Sequence, residues 1–355
     1  MIFLALPYNN YTGWGVCSLN LATELCQLTK IKYYSDELEN DKSVNSIADR
    51  FFKKISFKDL NYIKNQKDYP LIQALEHDLK PYIDYFNGSI KIGITFADRK
   101  IPREMVEKSK NYDFIISGST WSQNLLQQNK VNSIVIHQGI NPIIFNESRK
   151  QKKYFHDDFI LFSGCKYETR KGQDVVIKAF KIICEKYPDV RLVCNWMNTY
   201  TQKDGREDLI NAGISHDRVI MTPLHTHEIM AEIYQNTDLG IFPSRCEAGT
   251  NLVMMEYMAC GKPCIATTGT GQGDILNIEN GLPLRSKGET VLRSPEGDFL
   301  SNWEEPDVEH LVDLIEWSYK NRKKIEKLGK KAASTMKNKT WSNMAKEMIK
   351  LIYQP

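Results

Sequence analysis

The densest grouping of reactive side chains runs Phe242-Pro-Ser-Arg-Cys-Glu-Ala-Gly-Thr-Asn-Leu-Val-Met-Met-Glu-Tyr-Met-Ala-Cys-Gly-Lys-Pro263. It holds two carboxylates, Glu247 and Glu256, with eight residues between them. The apolar run Leu239–Phe242 predicts a strand that breaks at Pro243-Ser244 and leaves Glu247 at the turn. Gly249 lets a ligand approach the backbone. Thr250, Asn251 and Leu252 then open a helix whose free amides can hold a diphosphate. Inside that helix, the Glu256 carboxylate can accept two hydrogen bonds from a ribose diol. Gly261-Lys262-Pro263 stops the helix before the next strand.

A second grouping is Phe162-Ser-Gly-Cys-Lys-Tyr-Glu-Thr-Arg-Lys-Gly-Gln-Asp174. Gly164 follows the strand Phe159–Phe162, and Gly172-Gln173-Asp174 opens another helix. Lys166, Arg170 and Lys171 put three cations in one loop. A departing nucleoside diphosphate gains negative charge, and fixed cations stabilise that gain. A unit charge pair at ~4 Å and an effective dielectric near 20 is worth roughly 4 kcal/mol. Since about 1.4 kcal/mol changes a rate tenfold, even a fraction of this matters.

Other segments carry weaker signals. Gly13 and Gly15 sit in the loop after the first strand, a spacing common in turns that gains meaning from its position. Gly269, Gly271 and Gly273 alternate, but a dinucleotide fingerprint would open a helix and place an acid about 20 residues on. A donor-facing loop fits better, with Gly271 and Gln272 near the sugar. The chain has no Walker-type Gly-Lys-Ser/Thr and no Asp-x-Asp. His225 and His227 are expected to cap a helix beginning near Glu228.

These motifs resemble those of the retaining glycosyltransferases of family 4 (group 1 glycosyltransferases). That family has the GT-B fold, an α/β architecture of two Rossmann-like domains facing across a cleft. Its signature is Glu, seven residues, Glu, then Ala-Met-Ala-x-Gly-x-Pro. Here it is similar to Glu247, eight residues, Glu256 and Tyr-Met-Ala-Cys-Gly-Lys-Pro263, a variant with one extra residue near Thr250 and Asn251. The resemblance implies Glu256 on the ribose hydroxyls and Glu247 near the donor sugar. It implies Lys171 in the diphosphate clamp, with either Arg170 or Lys166 as its arginine counterpart. The Gly13–Gly15 loop is similar to the family's glycine-rich first loop, against donor phosphates or acceptor. Ser119-Thr-Trp121 and His137-Gln-Gly139 resemble landmarks near the end of the first domain. Many relatives place a sugar-contacting histidine where this chain has Thr95, Phe96, Ala97 and Asp98, so no imidazole is expected from this loop.

The implied reaction moves a hexose from a UDP- or GDP-sugar to a glycan, lipid-linked or protein acceptor, with retention. No cofactor is expected, since the nucleotide sugar is a substrate. The missing Asp-x-Asp suits a metal-independent enzyme. Two other readings stay open: a nucleotide-sugar-binding subunit that has lost turnover, supported by the missing histidine, and a nucleotide-sugar epimerase of the same fold.

Positioning these loops requires alternating strands and helices. Strands are predicted at Ile2–Leu6, Ile31–Tyr34, Ile90–Phe96, Phe114–Ser117 and Ser133–Ile136. A second series falls at Phe159–Phe162, Arg191–Cys194, Arg218–Met221, Leu239–Phe242 and Pro263–Ala266. Helices are predicted at Ser18–Leu28, Gln173–Tyr187, Glu228–Gln235, Leu252–Cys260, Val308–Tyr319 and Ser342–Tyr353. Continuous apolar strands between helices point to parallel sheets covered on both faces. The polar stretch Asn146–Asp158 is the expected linker. The expected domains are 1–148 for the acceptor, 149–338 for the donor, and a C-terminal helix in 339–355 that packs back on the first. Residues 35–87 match no pattern.

A length of 355 residues fits two or more cores. The net charge of only +3 argues against a dedicated nucleic-acid binder. No apolar run reaches the ~20 residues of a membrane span, and no basic leader precedes Ile2, so a cytoplasmic protein is expected. The eight cysteines lie in apolar contexts and are expected to be reduced and mostly buried. Cys260 and Cys264 lack the second pair of a zinc site. The cationic run Lys320–Lys339 reads as a solvated helix face, with peripheral contact to an anionic membrane as the alternative.

Overall fold

The computed structural model describes residues 1–9, 11–35, 47–83, 85–148, 158–293 and 296–353. Residues 149–157 of the expected linker lie outside them. The chain divides into two compact units, Met1–Gly139 with Lys339–Pro355, and Ile140–Asn338.

In the first unit, six strands form one parallel sheet: β1 (Ile2–Ala5), β2 (Ile31–Tyr34), β3 (Leu71–Leu75), β4 (Lys91–Thr95), β5 (Phe114–Ser117) and β6 (Ile134–Val135). Their order is β2-β1-β3-β4-β5-β6. β1 and β3 are short apolar runs buried along their length, as strands covered on both faces require. β3 falls within 35–87, where no strand is predicted, yet it is central here, paired with both β1 and β4.

The helices of this unit are α1 (Gly13–Leu28), α2 (Ile47–Ile55), α3 (Leu60–Asn65), α4 (Arg103–Ser109) and α5 (Thr120–Gln128). α1 starts five residues before the expected Ser18, because Thr12 caps it: the Gly15 N–H donates to Thr12 Oγ1 at 3.0 Å.

The second unit holds β7 (Phe159–Cys165), β8 (Val190–Trp196), β9 (Val219–Met221), β10 (Leu239–Phe242), β11 (Cys264–Thr267) and β12 (Leu282–Leu284). They form a parallel sheet in the order β12-β11-β10-β7-β8-β9. Its helices are α6 (Gln173–Lys186), α7 (Arg206–Asn211), α8 (His227–Gln235), α9 (Leu252–Ala259), α10 (Val308–Lys320) and α11 (Arg322–Met336). α6 buries Val175, Val176, Ala179, Phe180 and Ile183, one helical face, against the β7 and β8 side chains Leu161, Leu192 and Trp196.

An antiparallel hairpin of β13 (Ser286–Arg293) and β14 (Phe299–Pro306) follows the sheet and was not anticipated. The last helix, α12 (Trp341–Tyr353), belongs to the first unit and packs on α1. Among the described residues, no helix is long and apolar enough to cross a membrane.

Candidate active site

Strand order in the second sheet reverses between β7 and β10, which are neighbours although 73 residues separate the end of one from the start of the other. At such a reversal the loops leaving the two carboxyl ends part in opposite directions and open a crevice. The loops concerned are 166–172 and 243–251, the two groupings singled out above.

Backbone geometry ties them together. A 3-10 turn, Thr169–Lys171, ends at Gly172, whose φ of +71° is left-handed. A Cβ at Gly172 would collide with the Pro243 carbonyl, so this position needs glycine twice over. The Arg245 N–H donates to the Arg170 carbonyl at 2.8 Å.

The charged side chains then meet. Lys171 Nζ donates to both Glu247 oxygens, at 2.7 and 2.8 Å. Arg170 Nη1 reaches Glu247 Oε2 at 3.3 Å and the Cys246 carbonyl at 2.9 Å. The Ser244 hydroxyl donates to Glu247 Oε1 at 2.8 Å. Lys166 stands one step further out, 3.1 Å from Glu168 Oε2 and 4.7 Å from the Tyr200 ring centre. Of the two candidates for the arginine role, Arg170 therefore shares Glu247 with Lys171, and Lys166 does not.

Two residues of this network escaped the sequence reading. Glu168 bridges Lys166 and Arg170, accepting from Arg170 Nη2 at 2.7 Å. Burial pushes its carboxyl up, but Arg170, Lys171 and Lys166 more than reverse this, leaving it below the ordinary carboxylate value. Arg245 is 5% exposed. It donates to Asp174 at 2.7 and 2.9 Å, to Glu305 at 2.8 and 3.0 Å, and to the Thr169 carbonyl at 2.9 Å. Both residues lay inside the quoted motifs; an acid between cations, and a cation two residues before Glu247, were the available signals.

α9 supplies the next groups. Asn251 adopts φ +61°, a conformation its short polar side chain tolerates. Its Oδ1 caps the helix, accepting from the Met254 N–H at 3.2 Å. Its Nδ2 is buried and has no hydrogen-bond partner among the described residues. The Thr250 hydroxyl is buried against Met255 Sδ at 2.9 Å, and Leu252 is the first helical residue. Gly249 completes the turn above Gly271, whose N–H donates to the Glu247 carbonyl at 2.8 Å. The Glu247 N–H donates to Thr270 Oγ1 at 3.0 Å. Gly164 lies within β7 itself, next to the side chain of Phe162, and not in the loop after it.

Glu256 is buried, and the Tyr234 hydroxyl donates to it at 3.3 Å. It sits five positions beyond Asn251, roughly 7–8 Å along the helix axis. Burial pushes its carboxyl up to about 8, against a small opposing pull from the Tyr234 hydrogen bond.

The remaining candidates belong to the first unit. Gly13 and Gly15 lie in the first turn of α1 and not in the loop before it, because Thr12 caps the helix; that turn meets the Thr95–Asp98 loop through Trp14 and Phe96, whose rings stand edge to face at 4.6 Å. Gly15 is required by the close approach of Asn9, whereas nothing lies within 4 Å of a Cβ at Gly13. Thr95 is buried and donates to the Glu76 carbonyl at 2.9 Å. Asp98 is held by Arg99 at 2.7 Å. Trp121 is half-buried in the first turn of α5. The histidine expectation is corrected: Thr226 is the N-cap of α8, and His227 is its first helical residue, with its ring 5.7 Å from that of Phe145.

Residues 157–291 match the family model Glycosyl transferases group 1. An uncharacterized glycosyltransferase of Methanocaldococcus jannaschii is 29% identical over 197 residues, 55% of this chain and 51% of that protein. The chain spans about half the length of the curated relatives it matches. Among solved structures, sucrose-phosphate synthase from Thermosynechococcus elongatus superposes with a TM-score of 0.77 at 17% identity, covering 100% of this chain and 99% of that one. An Anabaena protein solved in complex with UDP-glucose gives 0.72 at 13% identity, with coverage of 100% and 99%. The two parallel α/β sheets and these full-length matches define the GT-B fold.

Proposed function

We propose that the chain is a glycosyltransferase that moves a hexose from a UDP- or GDP-sugar to an acceptor hydroxyl, with retention of configuration. The observation that carries this reading is the convergence of Lys171 and Arg170 on Glu247 at the sheet's strand-order reversal. In this arrangement the two cations neutralise the leaving diphosphate without requiring a metal. They are already held in place by Glu247 and Glu168, so little reorganisation is needed as charge develops. Glu247 shares its oxygens with incoming sugar hydroxyls, and the Asn251 amide and the start of α9 meet phosphate oxygens. Glu256 takes the ribose hydroxyls. The UDP-glucose complex of the Anabaena protein, which shares the fold, supports a nucleotide-sugar donor.

Thermal-shift screening with UDP, GDP, ADP and dTDP tests this reading. A ligand at 100 times its dissociation constant adds about 2.7 kcal/mol of stability. One or more of these nucleotides should raise Tm clearly, and the corresponding nucleotide hexose should be slowly hydrolysed. A uniform lack of response would remove the donor assignment.

A further inference from the structure

β14 carries two adjacent carboxylates, Glu304 and Glu305, and neighbours on a strand point to opposite faces. Glu305 is committed to structure: it accepts from Arg245 Nε and Nη2 and from the Thr290 hydroxyl. Glu304 is different. Its N–H donates to the Arg245 carbonyl at 2.9 Å, which fixes it beside the turn two residues before Glu247. Its Oε2 accepts from the Gly269 N–H at 3.1 Å, and that is its one side-chain hydrogen bond among the described residues. No cation among the described residues forms an ion pair with it. Gly269 opens the loop whose Thr270 and Gly271 hold the backbone of Glu247.

We propose that Glu304 is a sugar-binding residue, its carboxylate accepting hydroxyl hydrogen bonds from the hexose of the bound nucleotide sugar. This rests on the donor reading above. An ionised carboxylate offers about four lone-pair positions, and Glu304 uses one. The site sorts its charges: the cations gather on the 166–171 loop, where a diphosphate would be drawn. An acid lacking a cation repels phosphate and suits a neutral polyol, whose hydroxyls donate without bringing a counter-charge. Burial already pushes the Glu304 carboxyl above its ordinary value, as expected of a group whose partners arrive with a ligand. Arg245 grips Glu305 on the other face and so holds Glu304 in register with the 268–273 loop.

Calorimetric titration separates sugar from nucleotide. The nucleoside diphosphate that the wild-type protein binds, from UDP, GDP, ADP and dTDP, is compared with its glucose and mannose conjugates. The proteins are wild type, Glu304→Gln and Glu304→Ala. Both variants should weaken the preferred conjugate by about tenfold or more while leaving the free diphosphate within about twofold. Retained diphosphate binding also shows that the site is folded. Parallel weakening of both ligands in the Gln variant, or an unchanged conjugate affinity, would overturn the assignment. A wild-type protein that binds none of the diphosphates removes the donor reading first, and this inference with it.

Discussion

The carboxyl edges of the two sheets carry similar kinds of residue and use them differently. In the first unit, each polar candidate is occupied by its own neighbourhood, Thr95 by the Glu76 carbonyl and Asp98 by Arg99, while Gly15 is hemmed in by Asn9. In the second unit, charges from loops about 75 residues apart in sequence converge: Lys171 and Arg170 on Glu247, and Arg245 on Asp174 and Glu305. Sequence position along a Rossmann-like unit therefore does not determine chemical content. The first edge carries the Trp14–Phe96 ring pair, whereas the second carries a network of ion pairs drawn from separate loops.

The largest test of this contrast is catalytic. Lys171→Ala should lower kcat by about 100-fold or more if the ammonium meets the leaving diphosphate. Asp98→Asn in the first unit should cost less than about tenfold. Near-normal turnover in Lys171→Ala, with only KM raised, would mean uniform binding and not transition-state stabilisation.

Stability should follow the same division. Arg245→Ala leaves Asp174 and Glu305 without their shared cation and should cost about 2–3 kcal/mol in urea unfolding, discounted because both acids are partly solvated. Arg99→Ala should cost under about 1 kcal/mol. Equal losses would remove the distinction between a clamp and a surface pair.

Glu256 gives a pH signature. Its folded pKa of about 8 lies above the unfolded carboxylate value, so the folded protein binds more proton. Its contribution to stability is therefore full below the unfolded value of about 4.3 and is lost as pH rises through about 8. Nucleotide binding should run the other way: if the carboxylate accepts from ribose, affinity rises by about tenfold from pH 6.5 to 8 as it ionises. Glu256→Gln should bind more weakly and flatten both profiles in melting and titration experiments.

The smallest effects concern the first turn of α1. Gly15→Ala meets the Asn9 carbonyl and side chain and should destabilise by about 1 kcal/mol. Gly13→Ala enters open space and should change stability by less than about 0.5 kcal/mol. A raised KM in the Gly13 variant would make that helix start a ligand contact.

Legibility in the sequence followed the same physics. The loops of the second unit stood out because glycine, cation and carboxylate types recur at strand–helix junctions, where fold and chemistry demand the same residues. β3 was missed because Leu71–Leu75 is a short apolar run inside a charged, aromatic-rich stretch with no periodic flank. The β13–β14 hairpin was missed because β13 is largely exposed and polar and β14 is rich in polar residues, so no sustained alternating apolar face marks them. Arg245 and Glu304 depend on partners 71 and 35 positions away. Spacing in the chain does not encode such contacts.

The most direct measurement compares a nucleoside diphosphate with its parent nucleoside, titrated into the wild-type protein and into Lys171→Ala. Wild type should prefer the diphosphate by at least about tenfold, and that preference should collapse in the variant while nucleoside binding persists. A diphosphate preference of the same size in both proteins would contradict the account.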